Sequence, residues 1–293
     1  MKKILDGKKT SQRIKEEIKV KVDKLISEGH RPPHLAAILV GEDGASLTYV
    51  TNKVLSCKQV GFKSTLIQLP ESITEEDLLK EIQKLNDNKE IDGFIVQLPL
   101  PNHINDEKVL LSIPSNKDVD GFHPENFGKM ALNMESFVPA TPFGIIELLE
   151  RYNIDLNGKD AVIIGRSNIV GRPISILLSR KAKIGNSTVT VVHSRTKNLE
   201  FYTKNADIIV SALGVPGFLK GSMVKDGVII VDVGITRVKD SSKQKGYAIK
   251  GDVDFDSVYE KASYITPVPG GVGPMTIVSL LTNTLKAYKK NIA

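Results

Sequence analysis

Short apolar runs that alternate with longer polar-faced segments constrain this chain more than any other feature. HLAAILV, at residues 34–40, is seven residues long and stops at Gly41. It is too short for a buried helix and too uniformly apolar for a half-exposed strand, so it reads as a strand covered on both faces. LIQLP (66–70) and IDGFIVQLPLP (91–101) follow as further strands, the second ended by prolines. The segments between them read as helices: Thr10 to Glu28, Ala45 to Val60 with Gly61 as its stop, and ITEEDLLKEIQKLNDN (73–88). Thr74 is placed to cap that last helix, with Asp77 three residues on. A β-α-β-α-β order implies a parallel sheet flanked by helices.

A second series begins near residue 140. TPFGIIELLERYN, IVGRPISILLSRK and NLEFYTKNA read as helices; DAVIIG, STVTVVHS, DIIVSALG, GVIIVDVG and SYITPV read as strands. This is the pattern of a doubly wound, nucleotide-binding sheet. PMTIVSLLTNTLKAYKK closes the chain as a helix starting at Pro274, apolar enough to need a packing partner, which the first domain could supply. At 293 residues, two domains are expected: residues 1–140 completed by 274–293, and 141–273.

Composition narrows the function classes. The net charge of +6 is spread along the chain, aromatics are 5%, and there is no Trp. That argues against a nucleic-acid surface and is compatible with anionic small molecules. No run approaches a membrane span, and the basic N-terminus lacks an apolar signal core, so a cytoplasmic location is expected. Cys57 is the single cysteine, which excludes an internal disulfide and a cysteine zinc cluster. A buried helical thiol or a catalytic one remain its two readings. Nothing in the sequence calls for a metal.

Six places carry candidate chemistry. After DAVIIG comes Gly165-Arg166-Ser167-Asn168-Ile169-Val170-Gly171, a G-x-S-x-x-x-G turn between a strand and a helix. Small residues there let backbone approach a pyrophosphate at a helix N-terminus, although a plain strand-to-helix turn would look similar. The next strand ends in His193-Ser194-Arg195-Thr196, where an NAD site would place a carboxylate. Ser194, Arg195 and Arg166 favour the 2′-phosphate of NADP instead. Gln97 ends an apolar strand and requires hydrogen-bond partners. Asp118 and Asp120, in NKDVDGF, are either structural turn carboxylates or acceptors for a heterocycle edge. TPVPGGVGPMT (266–276), with three glycines and three prolines, is a ligand loop, an interdomain hinge, or both. Tyr49 and Lys53 add a ring and an amine four residues apart on one helical face.

Together these segments resemble the bifunctional methylenetetrahydrofolate dehydrogenase/methenyltetrahydrofolate cyclohydrolase family over essentially the whole chain. The resemblance lies in ASLTYVTNKVLSCKQVGF, DGFIVQLPLP, NKDVDGFHPENFG, PATPFGIIELL, GRSNIVGRP and TPVPGGVGPMT, in that order. It implies an α/β substrate domain and a Rossmann-like cofactor domain with a cleft between them. It implies a hydride transfer from 5,10-methylenetetrahydrofolate to NADP, then hydrolysis of the methenyl product to 10-formyltetrahydrofolate at the same site. In the family's pattern Tyr49 stacks on the aminobenzoyl ring, Lys53 is the catalytic lysine, and Gln97 orients it. Asp120 grips the pterin edge; Gly270, Gly271, Val272 and Pro274 lie in the loop over folate and cofactor. Gly165, Arg166, Ser167, Ile169, Gly171, Ser194 and Arg195 hold the cofactor, Arg166 and Ser194 at its 2′-phosphate. Purine biosynthesis as the consumer of the product, and a homodimer joined through the cofactor domains, are also implied. Gly44 and Val54-Leu55-Ser56 depart from the family's usual residues, away from every catalytic position. A dehydrogenase without the hydrolase step, a shikimate-type dehydrogenase and a non-catalytic folate binder are the rival readings. The first lacks a reason to keep Tyr49, Lys53 and Gln97 together.

Overall fold

The computed structural model describes residues 3–42, 44–243 and 246–292. In chain order it forms β1 (Lys3–Ile4), α1 (Gly7–Ser27), β2 (His34–Val40), α2 (Gly44–Gln59), β3 (Lys63–Leu69), α3 (Glu75–Asp87) and β4 (Gly93–Val96). Short helices α4 (Asp106–Leu111) and α5 (Pro124–Ala131) follow, then α6 (Ala140–Arg151), β5 (Asp160–Ile164), α7 (Gly171–Ser179), β6 (Thr188–Val192) and α8 (Leu199–Asn205). The remainder is β7 (Ile208–Ser211), β8 (Ile229–Asp232), β9 (Thr236–Lys239), β10 (Tyr247–Lys250), α9 (Phe255–Tyr259), β11 (Tyr264–Ile265) and α10 (Val272–Ile292).

The chain divides into two compact units. One holds Gln12–Ala140 and Ile277–Ala293, of which Ala293 lies outside the described residues. Its sheet is parallel, in the order β3-β2-β4. All seven residues of β2 are buried, as the apolar run requires of a central strand. Ile38 and Phe94 from the sheet pack with Leu78 and Ile82 of α3. The predicted cap forms: Thr74 Oγ1 accepts from Asp77 N at 3.1 Å. Thr74→Ala should therefore cost about 1 kcal/mol, lowering the denaturant midpoint with unchanged far-ultraviolet dichroism.

The C-terminal helix is fastened to this unit by polar contacts that no periodicity announces. Tyr288, fully buried, donates its hydroxyl to Arg31 O at 2.7 Å. Asn291 Nδ2 reaches Asp92 Oδ1 at 3.0 Å, and Arg31 makes a two-pronged ion pair to the same carboxylate, both contacts at 2.8 Å. Asn283 Nδ2 donates to Val119 O and Val138 O.

The second unit comprises residues up to Ser11 and Thr141–Thr276. Its six-stranded sheet runs β1-β11-β8-β7-β5-β6, with every pairing parallel, and β9 and β10 form a separate antiparallel hairpin. Here the structure departs from the domain division expected from sequence. The first residues belong with the cofactor-type sheet, because Lys3 and Ile4 pair with Tyr264 and Ile265 as its edge strand. Two residues carry too little pattern to be recognised as a strand, and a partner some 260 residues away leaves no local trace. Met1 and Lys2 lie outside the described residues. The other boundary falls at Thr276/Ile277, inside α10, rather than ahead of Pro274.

Candidate active site

In the unit containing β2, β3 and β4, Tyr49 and Lys53 lie one turn apart on α2. Lys53 Nζ donates to Gln97 Oε1 at 3.0 Å. Gln97 follows β4 directly. Its backbone N–H continues the sheet to Ile38 O at 2.9 Å, and its Nε2 donates to Leu98 O at 2.7 Å. The amide is thus locked with its oxygen toward the lysine. The partner demanded by a polar residue at a strand end is Lys53. Burial lowers the Lys53 pKa below the ordinary lysine value, while Asp120 and Cys57 pull it back up. Cys57, one further turn along α2, is fully buried, and burial pushes its thiol up to about 12. It is a neutral core group, which removes the catalytic-thiol alternative.

The two aspartates of NKDVDGF part company. Asp118 is buried and spends both oxygens on its own loop: Oδ1 accepts from Gly121 N and Phe122 N, Oδ2 from His123 N at 2.8 Å and Asn126 Nδ2 at 2.9 Å. Burial still raises its pKa to about 6, against the lowering pull of those donors. Lys117 anchors the same loop by donating to Leu85 O, Asn86 O and Asn88 O at the end of α3. The segment runs beside β4, with Phe94 bridged in parallel to Asp118. Asp120 lies two residues further on and accepts no side-chain hydrogen bond from any described residue. Burial raises its pKa and Lys53 lowers it. A half-buried carboxylate that no described residue satisfies has capacity to accept hydrogen bonds from a ligand. Residue type left these two carboxylates alike, and only the family resemblance set Asp120 at the pterin edge; which of them meets backbone N–H groups is a matter of tertiary structure.

In the other unit the Gly165–Gly171 turn joins β5 to α7. Gly165 has φ +118°, and a Cβ on it would lie 2.4 Å from Ala212 O; one on Gly171 would lie 2.4 Å from Gly165 O. Only glycine permits a turn this tight. Ser167 Oγ accepts from Val170 N and Gly171 N just ahead of α7, while Arg166 and Ile169 are exposed beside it. After β6, His193 N donates to Thr196 Oγ1 at 2.9 Å and Arg195 N to His193 Nδ1 at 3.2 Å. This closed turn presents Ser194 and Arg195 outward. A glycine cradle at a helix N-terminus, next to a basic, hydroxyl-bearing turn without a carboxylate, fits a dinucleotide with a 2′-phosphate. In the 266–276 segment, Gly270 O accepts from Lys8 N at 2.9 Å, and Thr266 Oγ1 accepts from Asp232 N at 2.7 Å. Val272 and Pro274 begin α10. Among the described residues, no group of three or more His, Cys, Asp or Glu side chains could hold a metal ion, and no helix is long and apolar enough to cross a membrane.

Two family descriptions match this chain. Residues 5–120 match the tetrahydrofolate dehydrogenase/cyclohydrolase catalytic domain, and residues 139–292 match the NAD(P)-binding domain of the same family. The chain belongs to the tetrahydrofolate dehydrogenase/cyclohydrolase family. It is 64% identical over 290 residues to the bifunctional protein FolD of Flavobacterium johnsoniae, covering 99% of this chain and 98% of that protein. Among solved structures, the FolD dehydrogenase/cyclohydrolase of Campylobacter jejuni is 51% identical, with a TM-score of 0.92 and 99% of each chain covered. The Trypanosoma brucei enzyme, solved with NADP cofactor and inhibitor, is 38% identical with a TM-score of 0.95, covering 99% of this chain and 98% of that one. The family's catalytic-domain match contains Tyr49, Lys53, Gln97 and Asp120, and its NAD(P)-binding match contains the glycine turn and the Ser194-Arg195 turn.

Proposed function

We propose that this member of the family oxidises 5,10-methylenetetrahydrofolate with NADP and hydrolyses the methenyl product to 10-formyltetrahydrofolate, using one lysine-centred site. The observation that carries the reading is the desolvated Lys53 amine held at 3.0 Å on Gln97 Oε1, in the same unit as the Asp120 carboxylate, which accepts no hydrogen bond from any described residue. NADP, when bound, supplies the hydride acceptor for the first reaction. Gly165, Ser167, Ile169 and Gly171 bind its diphosphate side, and Arg166, Ser194 and Arg195 bind its 2′-phosphate.

Tyr49 stacks on the substrate's aromatic portion. Asp120 accepts two hydrogen bonds from the pterin's amino-pyrimidine edge. Gly270, Gly271, Val272 and Pro274 contact the folate through backbone and ring surfaces. Oxidation leaves a resonance-stabilised amidinium carbon, which needs positioning more than a strong base. In the second reaction water adds to that carbon, a C–O bond forms, the bond to N5 breaks, and N5 takes up a proton. Lys53, with its lowered pKa, removes a proton from water and returns one to nitrogen. Gln97 keeps the amine aimed at the reacting carbon.

The same reading makes the chain a cytoplasmic homodimer that supplies formyl groups for purine biosynthesis. Absorbance assays with 5,10-methylenetetrahydrofolate, run separately with NADP and NAD, test the activity. NADP reduction well above NAD reduction is expected, and no reduction of either by folded protein would overturn the dehydrogenase assignment.

Asp120→Ala should weaken folate binding about tenfold, the loss of one charged hydrogen-bonding partner. Because Asp120 raises the Lys53 pKa, the lysine limb of the cyclohydrolase pH profile should also move to lower pH in this variant. An unchanged dissociation constant, measured by calorimetry, would remove Asp120 from the pterin.

A further inference from the structure

The family assignment leaves two buried carboxylates unexplained. Asp252 is fully buried and Asp232 nearly so, and both sit in the cofactor-type unit. Neither has a cationic partner among the described residues. Their oxygens are occupied by backbone. Asp252 Oδ2 accepts from Leu213 N at 2.6 Å and from the buried Ser211 Oγ at 3.4 Å, and Oδ1 accepts from Val215 N at 2.9 Å. Asp232 Oδ1 accepts from Gly234 N and Asp252 N, both at 2.9 Å, and Oδ2 from Val253 N at 3.0 Å. Glycine permits both contacts: a Cβ on Gly234 would lie 2.3 Å from Asp252 Oδ1, and one on Gly251 2.0 Å from Asp232 Oδ2. Thr266 Oγ1 accepts from Asp232 N, and Thr236 Oγ1 donates to Gly214 O at 3.3 Å. The pair therefore ties together the loop after β7, the loop after β8, the segment after β10 and the first residue of TPVPGGVGPMT.

The sheet register says what those loops face. Val192, Ile164, Ser211 and Asp232 form one row across the carboxyl ends of β6, β5, β7 and β8. The order in which strands are added reverses between β5 and β7, β6 lying on one side of β5 and β7 on the other, and that switch is where a doubly wound sheet takes its dinucleotide. The 2′-phosphate end belongs over β6, with Ser194 and Arg195, and the diphosphate belongs at the β5–α7 turn. The opposite end of the cofactor then runs toward β7 and β8.

We propose that Asp252 and Asp232 are positioning residues for the hydride-accepting end of NADP, holding the loops after β7 and β8 in the shape that receives it. Ion pairing does not explain the pair, and a core position with no ligand in view would be filled more cheaply by apolar side chains. The inference rests on the NADP reading above.

Asp252→Asn keeps size but turns one acceptor oxygen into a donor that faces backbone N–H groups. The variant is compared with wild type by calorimetry, using NADP and adenosine 2′,5′-bisphosphate, which carries only the adenosine half. The NADP dissociation constant should rise about tenfold while that of the bisphosphate stays within about twofold. NADP-dependent oxidation should fall about tenfold or more, while methenyltetrahydrofolate hydrolysis without NADP is retained. Equal weakening of both ligands, no weakening of either, or parallel loss of both activities would overturn the proposal. Should Asp252→Asn not fold, Thr236→Val cuts the same loops apart at an exposed link. A loss confined to NADP binding and oxidation is then expected, and its absence is decisive against the proposal. Wild-type protein that binds NADP but fails to oxidise methylenetetrahydrofolate would count against the functional reading alone, and the binding comparison would still decide this one.

Discussion

Replacing Lys53 by methionine is expected to abolish cyclohydrolase activity, by about 10³-fold, and to remove most of the dehydrogenase activity. Methionine matches the length of the lysine stem but carries no exchangeable proton, so neither proton transfer to or from the reacting water and nitrogen survives. Gln97 keeps its own contact to Leu98 O and stays in place, so the change is confined to the amine. The sign of the stability effect separates this loss from misfolding. Burial holds the Lys53 pKa below the 10.5 of a free lysine. Between the lowered value and 10.5 the folded state binds fewer protons than the unfolded one, so this group's contribution to stability rises with pH across that window. At neutral pH the buried ammonium therefore costs stability, and methionine removes the cost. A melting temperature equal to or above wild type, with hydrolysis lost, is the expected pair of results. Decay of methenyltetrahydrofolate absorbance at the wild-type rate, after subtraction of the uncatalysed reaction, would overturn the role given to Lys53.

Arg166→Ala is expected to lower kcat/KM for NADP by about 10- to 100-fold through KM, the range set by losing a charge-assisted hydrogen bond to phosphate. NAD, which has no 2′-phosphate, should be affected far less. Arg166 is exposed and leaves the glycine turn backbone untouched, so folding is not at stake. The wild-type preference should also shrink as salt is raised, because an exposed ion contact is screened. Equal effects on the two cofactors would place the phosphate elsewhere, with Ser194 and Arg195 as the next residues to test.

The fold was legible wherever local pattern is strong. The apolar run His34–Val40 is a central strand with every residue buried, and Thr74 caps its helix as the spacing predicts. The glycine turn and the need of Gln97 for a partner were also visible from the chain, since a strand-to-helix turn and a polar strand end announce themselves through residue type; Lys53 as that partner was implied only by the family resemblance. Elements whose reason is distant were not. Strand β1 exists because Tyr264 and Ile265 lie beside it, and the hairpin of β9 and β10 carries a mixed, half-exposed pattern that resembles loop.

The sequence by itself determined the fold class, the family and the residue types available at the site, because these depend on periodicity, turn chemistry and motif order along the chain. Tertiary structure alone shows what each aspartate of NKDVDGF meets. Asp118 is consumed by three backbone N–H groups and Asn126, while the carboxylate of Asp120, two residues away, accepts no hydrogen bond from any described residue. No motif in the chain singles out Asp232 or Asp252. They become a buried pair only because β7, β8 and the segment after β10 bring backbone donors to them. A carboxylate's role is set by the donors around it and by its access to water, and those belong to segments far away in sequence.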